Sequence, residues 1–385
     1  MKLIRFFTGF IIAVFIITLL PIKAVAADLA QTSKSAVLLE LVSGDIVYEK
    51  APDEAMPPAS ITKIMTILLI YEAVEEGKIK WDDKVTVSEH AASMGGSQVF
   101  LEAGEEQTVK ELTKCIVIAS ANDAAVAMAE FIGGSEDGFV DIMNERAKEL
   151  KMENTHFVNA CGLDAEGHVS SARDVAIMSR QLLLNHPEVT EYTTTWMDTI
   201  THKTRRGESD FGLTNTNKLI KWYNGATGLK TGSTNGALYC LSGSAKRNGV
   251  EFVAVVMGVS DPKVRFKEVM DMLDYGFANY EVMEGIAKGD TVGEIAIHKG
   301  ITEKTDVEAK EDFSVVAKKG EANTLEYDIE LLPFIKAPFE AGEKAGEIVY
   351  RIGEKEVGRV DVITVNGADK MGFIDMFIEM FRKCA

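Results

Sequence analysis

Cysteine is scarce in this 385-residue chain, and Cys115, Cys161, Cys240 and Cys384 are widely scattered, with no Cys-x-x-Cys pair. That spacing argues against a disulfide framework and for free thiols, with Cys115 and Cys240 serving as small hydrophobes in apolar helical and strand patterns. The six histidines, His90, His156, His168, His186, His202 and His298, lack any His-x-x-x-His spacing, so no metal is expected. Basic residues are outnumbered, 41 Lys+Arg against 59 Asp+Glu, for a formal net charge of −18. Without a concentrated basic patch, that balance argues against nucleic-acid binding and against docking onto anionic lipid by charge alone. The chain has no internal repeat and no low-complexity tract. A phosphate loop fails because Leu229, not glycine, precedes Lys230. A Ser-His-Asp hydrolase would want a Gly-x-Ser-x-Gly elbow between strand and helix, and Gly243-Ser244 lacks both pattern and context.

What is present begins at the N-terminus. Lys2 and Arg5 precede an apolar run from Phe6 to Leu20, followed by Pro21 and Ala24-Val25-Ala26. A positive segment, an apolar segment and a small-x-small site in that order describe a secretory signal peptide over residues 1–26, cut after Ala26. An uncleaved anchor is the competing reading, because the apolar run is long for a signal. The remaining length allows two domains, and 46% hydrophobic residues allow a substantial core.

Residues 36–49 read as a hairpin turning at Ser43-Gly44-Asp45. A buried helix follows from about residue 60. A largely helical stretch then runs to about residue 190, with a capping-box-like start at Thr108–Glu111. Residues 237–259 read as a second hairpin turning at Lys246–Gly249, and a helix over about 262–280 closes the segment. Strands at both ends with helices between them predict an α+β domain, an antiparallel sheet with helices packed on it. Beyond Tyr280 short strand-like runs alternate with Gly- and Lys/Glu-rich turns, so residues 282–366 read as a small β-domain.

Within the apolar stretch 57–73, Ser60 and Lys63 stand three residues apart, nearly one helical turn, so their side chains share a face. Lys63 sits in the first turn, where burial and the positive end of the helix dipole both oppose an ammonium. Ser-x-x-Lys alone occurs by chance roughly once in a chain of this length. Two further elements change its weight: Ser120-Ala121-Asn122 between two helical patterns, and Lys230-Thr231-Gly232 ahead of the strand at 237–242.

The ordered trio resembles the three motifs of the penicillin-recognising serine enzymes. With Ser-Ala-Asn in the middle slot, an exported N-terminus, an extra β-domain and an amphipathic tail, the chain is similar to the low-molecular-mass penicillin-binding proteins that act as serine-type D-alanyl-D-alanine carboxypeptidases. The similarity runs from about residue 28 to 385 and includes "GLDAEGHVSSARD" and "VMGVSDPKVRF". It implies a β-lactamase/transpeptidase-like catalytic domain over 27–280, followed by the β-domain over 281–366. It also implies roles: Ser60 as nucleophile, Lys63 as base once its pKa has fallen, and Ser120 as proton relay to the leaving amine. Asn122 would hold the substrate's peptide amide, and the N–H groups of Ser60 and Ser233 would form the oxyanion hole. Lys230 and Thr231, with Gly232 completing the motif and Arg265 assisting, would bind the terminal carboxylate.

The substrates implied are peptidoglycan stem peptides, with β-lactam antibiotics as covalent inhibitors and no cofactor. A β-lactamase is the nearest enzymatic rival, but Leu163-Asp164-Ala165-Glu166 does not look like the water-activating loop of the class A enzymes. A non-turnover β-lactam sensor is the rival of another class. In the tail, residues 367–385, Asp375, Glu379, Arg382 and Lys383 share one arc of about 100°, opposite Phe373, Ile374, Phe377, Ile378, Met380 and Phe381. Too short to span a bilayer, that helix is expected to lie in a membrane interface, at the outer face of the cytoplasmic membrane. A helix packed on its own domain is the competing reading.

Overall fold

A computed structural model describes residues 28–320 and 325–374. The signal segment, Cys384 and the tail from residue 375 onward therefore lie outside the described residues. The portion up to residue 280 is organised by a five-stranded antiparallel sheet. In spatial order its strands are Ile46–Lys50, Ser35–Glu40, Val250–Val259, Leu238–Arg247 and Ala226–Thr234. Both expected hairpins are present, the second turning at Asn248 and Gly249, which have φ of 50° and 81°. Positive φ at both central residues is what a two-residue hairpin turn requires, and Asn-Gly supplies it at least cost.

The central strands alternate between two cores. Val37, Leu39, Val253, Val255 and Met257 face the larger core, while Ala36, Leu38, Phe252, Ala254 and Val256 face the smaller. Strands covered on both faces read as unbroken apolar runs because every residue, odd or even, is buried. The larger core is built around the helix Lys63–Glu75, whose residues are buried on nearly every side from Lys63 to Tyr71. The helix Val264–Asn279 covers the opposite face.

Three features depart from the expectations. Residues 59–62 form a 3-10 turn, so Lys63 opens the α-helix proper and Ser60 lies just outside it. Residues 151–171 are irregular rather than helical. A polar hairpin, Met197–Thr204 with Gly207–Thr214, was not legible in the sequence. The helix at 109–118 starts as expected, Thr108 accepting from the Glu111 N–H at 3.1 Å. The reciprocal half of the box is not formed, because the Glu111 carboxylate pairs with Lys114 at 2.8 Å instead.

From Tyr280 to Lys370 the described residues form strands and turns only. A strand pair, Tyr280–Glu284 with Ser314–Lys318, packs Val282 and Val316 against the smaller core. A six-stranded sheet then encloses its own core of Ile295, Val307, Ile348, Tyr350, Val360 and Val362. Among the described residues no helix is long and apolar enough to cross a membrane. Cys115, Cys161 and Cys240 are free and buried.

Candidate active site

The site lies where the first turn of the Lys63–Glu75 helix meets the edge strand of the sheet. Lys230-Thr231-Gly232 precedes the strand Leu238–Arg247, as the sequence implied, and lies within the edge strand Ala226–Thr234 that pairs with it. A Cβ on Gly232 would lie 3.0 Å from Ile61 N, 3.0 Å from Pro58 O and 3.1 Å from Ser60 N. Only glycine allows the strand to pass so close to the backbone of the 3-10 turn, and that approach brings Ser60 beside the strand.

Lys63 is fully buried and its Nζ has three partners: Ser60 Oγ at 3.1 Å, Asn122 Oδ1 at 2.6 Å and Cys161 O at 2.6 Å. Burial is the main cause that pulls its pKa down to about 8, opposed by Cys161 and the carboxylate of Asp123. The partner set suits either protonation state. An ammonium donates to all three, whereas a neutral amine donates to the amide and carbonyl oxygens and turns its lone pair to the serine hydroxyl. The arrangement can therefore draw the Ser60 proton without leaving a buried N–H unpaired.

The second motif turns between two helices, Val109–Ile118 and Asn122–Gly133. Ser120 is buried there at φ 60°, in the left-handed region that a residue with a side chain enters only under constraint. Two residues on, Asn122 Oδ1 accepts from Lys63, while its Nδ2 donates to Gly95 O at 2.7 Å. The Asn122 side chain is thus turned onto the lysine, with the loop at Gly95 as its second contact.

Lys230 is almost wholly buried, and burial is the first cause that lowers its pKa well below normal, followed by the nearby cations of Lys63 and Arg265. Thr231 Oγ1 lies 2.6 Å from Thr216 Oγ1. Arg265, second residue of its helix, donates from Nη1 to Gly232 O at 2.9 Å and Cys240 O at 3.2 Å, which ties the guanidinium to the motif strand. Ser233 is exposed at the mouth of a cavity of about 310 Å³ shared with Thr234, Asn235, Leu238 and Tyr239. Nine residues separated by up to 205 positions are thereby drawn around one helix start and one strand edge.

Sequence reasoning noted the segment from Gly162 onward but gave no role at the site to Asn159, Cys161, Gly162 or His168, which build the loop that completes it. Asn159 Oδ1 accepts the N–H groups of Cys161, Gly162 and Leu163 at 3.3, 2.7 and 3.2 Å, fixing the Cys161 carbonyl against Lys63. Gly162, at φ 87°, lies against Ala59, whose carbonyl oxygen a Cβ would meet at 1.9 Å. His168 accepts the Val158 N–H at Nδ1 (2.9 Å), so Nε2 carries the hydrogen toward Thr62 Oγ1 at 2.8 Å. Burial lowers its pKa to about 4, which keeps this imidazole neutral. Asp164 accepts from Thr234 Oγ1 (2.6 Å) and Gly236 N (3.0 Å), joining the loop to the edge strand, while Glu166 is exposed.

A buried lysine sharing a hydrogen with a serine hydroxyl, beside a Lys-Thr-Gly strand, is the arrangement that the three motifs imply. The family model for D-alanyl-D-alanine carboxypeptidase matches residues 22–261. The D-alanyl-D-alanine carboxypeptidase DacF of Bacillus subtilis is 46% identical over 349 residues, 90% of this chain and 89% of the relative. The chain belongs to the D-alanyl-D-alanine carboxypeptidase family.

Residues 280–370 match the C-terminal domain of penicillin-binding protein 5. Among solved structures, penicillin-binding protein 5 of Haemophilus influenzae superposes with a TM-score of 0.70 at 30% identity, covering 88% of this chain and 98% of that one. A peptidoglycan synthesis regulatory factor (PBP3) of Streptococcus pneumoniae gives 0.75 at 27% identity, covering 88% and 99%. The transpeptidase-like α+β fold followed by an all-β domain is therefore that of the family.

Proposed function

We propose that the chain is a serine-type D-Ala-D-Ala carboxypeptidase that removes the terminal D-alanine from peptidoglycan stem pentapeptides and is acylated by penicillin. The observation that carries this reading is the fully buried Lys63 with its Nζ 3.1 Å from Ser60 Oγ. Ser60 Oγ attacks the carbonyl carbon of the penultimate D-alanine as its proton passes to the neutral Lys63 amine. Negative charge builds on the carbonyl oxygen, which the N–H groups of Ser60 and Ser233 receive. Collapse of the tetrahedral species breaks the C–N bond, Ser120 relays a proton to the leaving amine, and D-alanine departs. Water then hydrolyses the ester and frees Ser60. Asn122 gives up its contact with Lys63 or Gly95 to hold the substrate amide, and Lys230, Thr231 and Arg265 take the terminal carboxylate.

The domains are assigned as 1–26 signal peptide, 27–280 catalytic, 281–366 β-domain and 367–385 membrane-associating helix, which places the enzyme outside the cytoplasmic membrane. The exposure of Glu166 favours a carboxypeptidase over a β-lactamase that activates water with a glutamate on this loop. The test is to incubate the mature protein with a peptide ending in D-Ala-D-Ala and measure D-alanine. Steady release is expected. Acylation by penicillin without peptide turnover would instead identify a sensor.

A further inference from the structure

The end of the β-domain from which the chain runs on past Ile374 is assembled from three segments. Ile335 and Lys336 pair in parallel with Ile297 and His298, and Phe334 packs its ring 5.2 Å from that of His298. Gly300 bridges to Lys370, Ile301 N donates to Asp369 O at 3.0 Å, and Met371 N donates to Lys299 O at 2.9 Å. The surface these contacts create is unusual in composition. Ile301 is 62% exposed, Phe334 49%, Phe373 80% and Ile374 73%, against a background in which large apolar side chains are mostly covered.

Lys299, Lys336 and Lys370 are exposed among them, and none forms an ion pair among the described residues. Glu303 and Asp369 flank the patch, so the cations are in excess locally, in a chain whose net charge is −18. Apolar side chains set among unpaired lysines match a lipid surface, where the rings and aliphatic chains enter the interface and the ammoniums stay at phosphate level.

We propose that this end of the β-domain is a second membrane-contacting surface, with Ile301 and Phe334 entering the interface and the three lysines meeting anionic lipid. The proposal rests on the reading of the tail as an interfacial helix. Phe373 and Ile374 are helical where the described residues end, and both belong to the apolar arc expected of the tail, so the patch adjoins that arc in sequence. One short amphipathic element holds a protein only reversibly, and a second signal on the same body converts that into lasting attachment. Two contacts also fix the β-domain's orientation on the membrane, which a single tail cannot do.

Flotation of the full mature chain with vesicles tests this, using phosphatidylcholine alone or mixed with phosphatidylglycerol. The double variant Ile301→Asp/Phe334→Asp should lose roughly tenfold or more in partition on both vesicles. The triple variant Lys299→Gln/Lys336→Gln/Lys370→Gln should lose about tenfold on the anionic vesicles only. D-alanine release in solution should be unchanged in both. In a Phe334→Trp chain, brominated lipid should quench the added fluorescence. Variants that float like the parent, or a tryptophan at 334 that lipid does not quench, would overturn the second surface and leave the tail anchor standing. That result is expected if another protein covers the patch. A parent chain that binds neither vesicle would overturn the tail anchor and this surface together.

Discussion

Lys63 should set the pH dependence of acylation. With its pKa at about 8 rather than the usual 10.5, about one-tenth of the protein carries the neutral amine at pH 7, against roughly three in ten thousand for an unshifted lysine. The shift corresponds to about 3 kcal/mol of bias against the charged form, and burial is its principal source. Single-turnover labelling with a fluorescent penicillin between pH 6 and 10 should show a rate rising close to tenfold per unit up to about pH 8, then levelling.

The same shift appears in stability. The unfolded chain holds a proton that the folded state has released, so Lys63's contribution rises between about pH 8 and 10.5 and falls again as pH descends through that window. Lys63→Arg keeps a charge that cannot be given up and should slow acylation by about a thousandfold or more, as should Lys63→Ala. A melting curve separates that loss from misfolding. A limb near pH 10.5, a flat profile from pH 6 to 9, or an arginine variant within tenfold of the parent at neutral pH would each refute Lys63 as the base.

Asn122→Ala removes an acceptor that favours the lysine's charged form, so the acylation limb should move to lower pH while the plateau drops about a hundredfold, read in the same labelling assay. Gly232→Ala forces the edge strand away from Pro58–Ile61 and should slow acylation roughly ten- to a hundredfold through a displacement of a few tenths of an ångström. Stopped-flow rates beside a melting curve show whether the loss is geometric. Asn159→Ala frees three N–H groups and should cost about 1–3 kcal/mol in denaturant unfolding, with slower acylation because the Cys161 carbonyl is no longer held. Removing residues 370–385 should release the mature enzyme from membranes with D-alanine release in solution little changed. High salt should weaken but not strip the intact chain, whereas detergent should free it.

The sequence was most legible where chemistry and burial leave a mark in residue type. A lysine at the head of an apolar helix, Lys-Thr-Gly before a strand pattern, and unbroken apolar runs at 36–39 and 252–257 pointed to the site and to a sheet covered on both faces. The hairpin 197–214 was not legible because it buries little beyond Ile200 and Leu213, and its inward His202 pairs with Glu105 at 2.9 Å instead of presenting an apolar period. The edge strand 226–234 was hidden by its small residues, of which Gly232 lets it approach the 3-10 turn. The Cys161 carbonyl left no mark at all, since any residue supplies a carbonyl. Only Asn159, 96 positions after Lys63, gives it a direction, and a single sequence does not pair them.

The central claim is that Ser60 is the nucleophile that Lys63 activates. It is tested most directly by quenching the mature protein after brief exposure to penicillin and locating the adduct by peptide mass mapping. The expected result is one penicillin mass on the peptide containing Ser60, absent from a folded Ser60→Ala variant that also releases no D-alanine. An adduct on any other residue, or D-alanine release that survives Ser60→Ala, would contradict it.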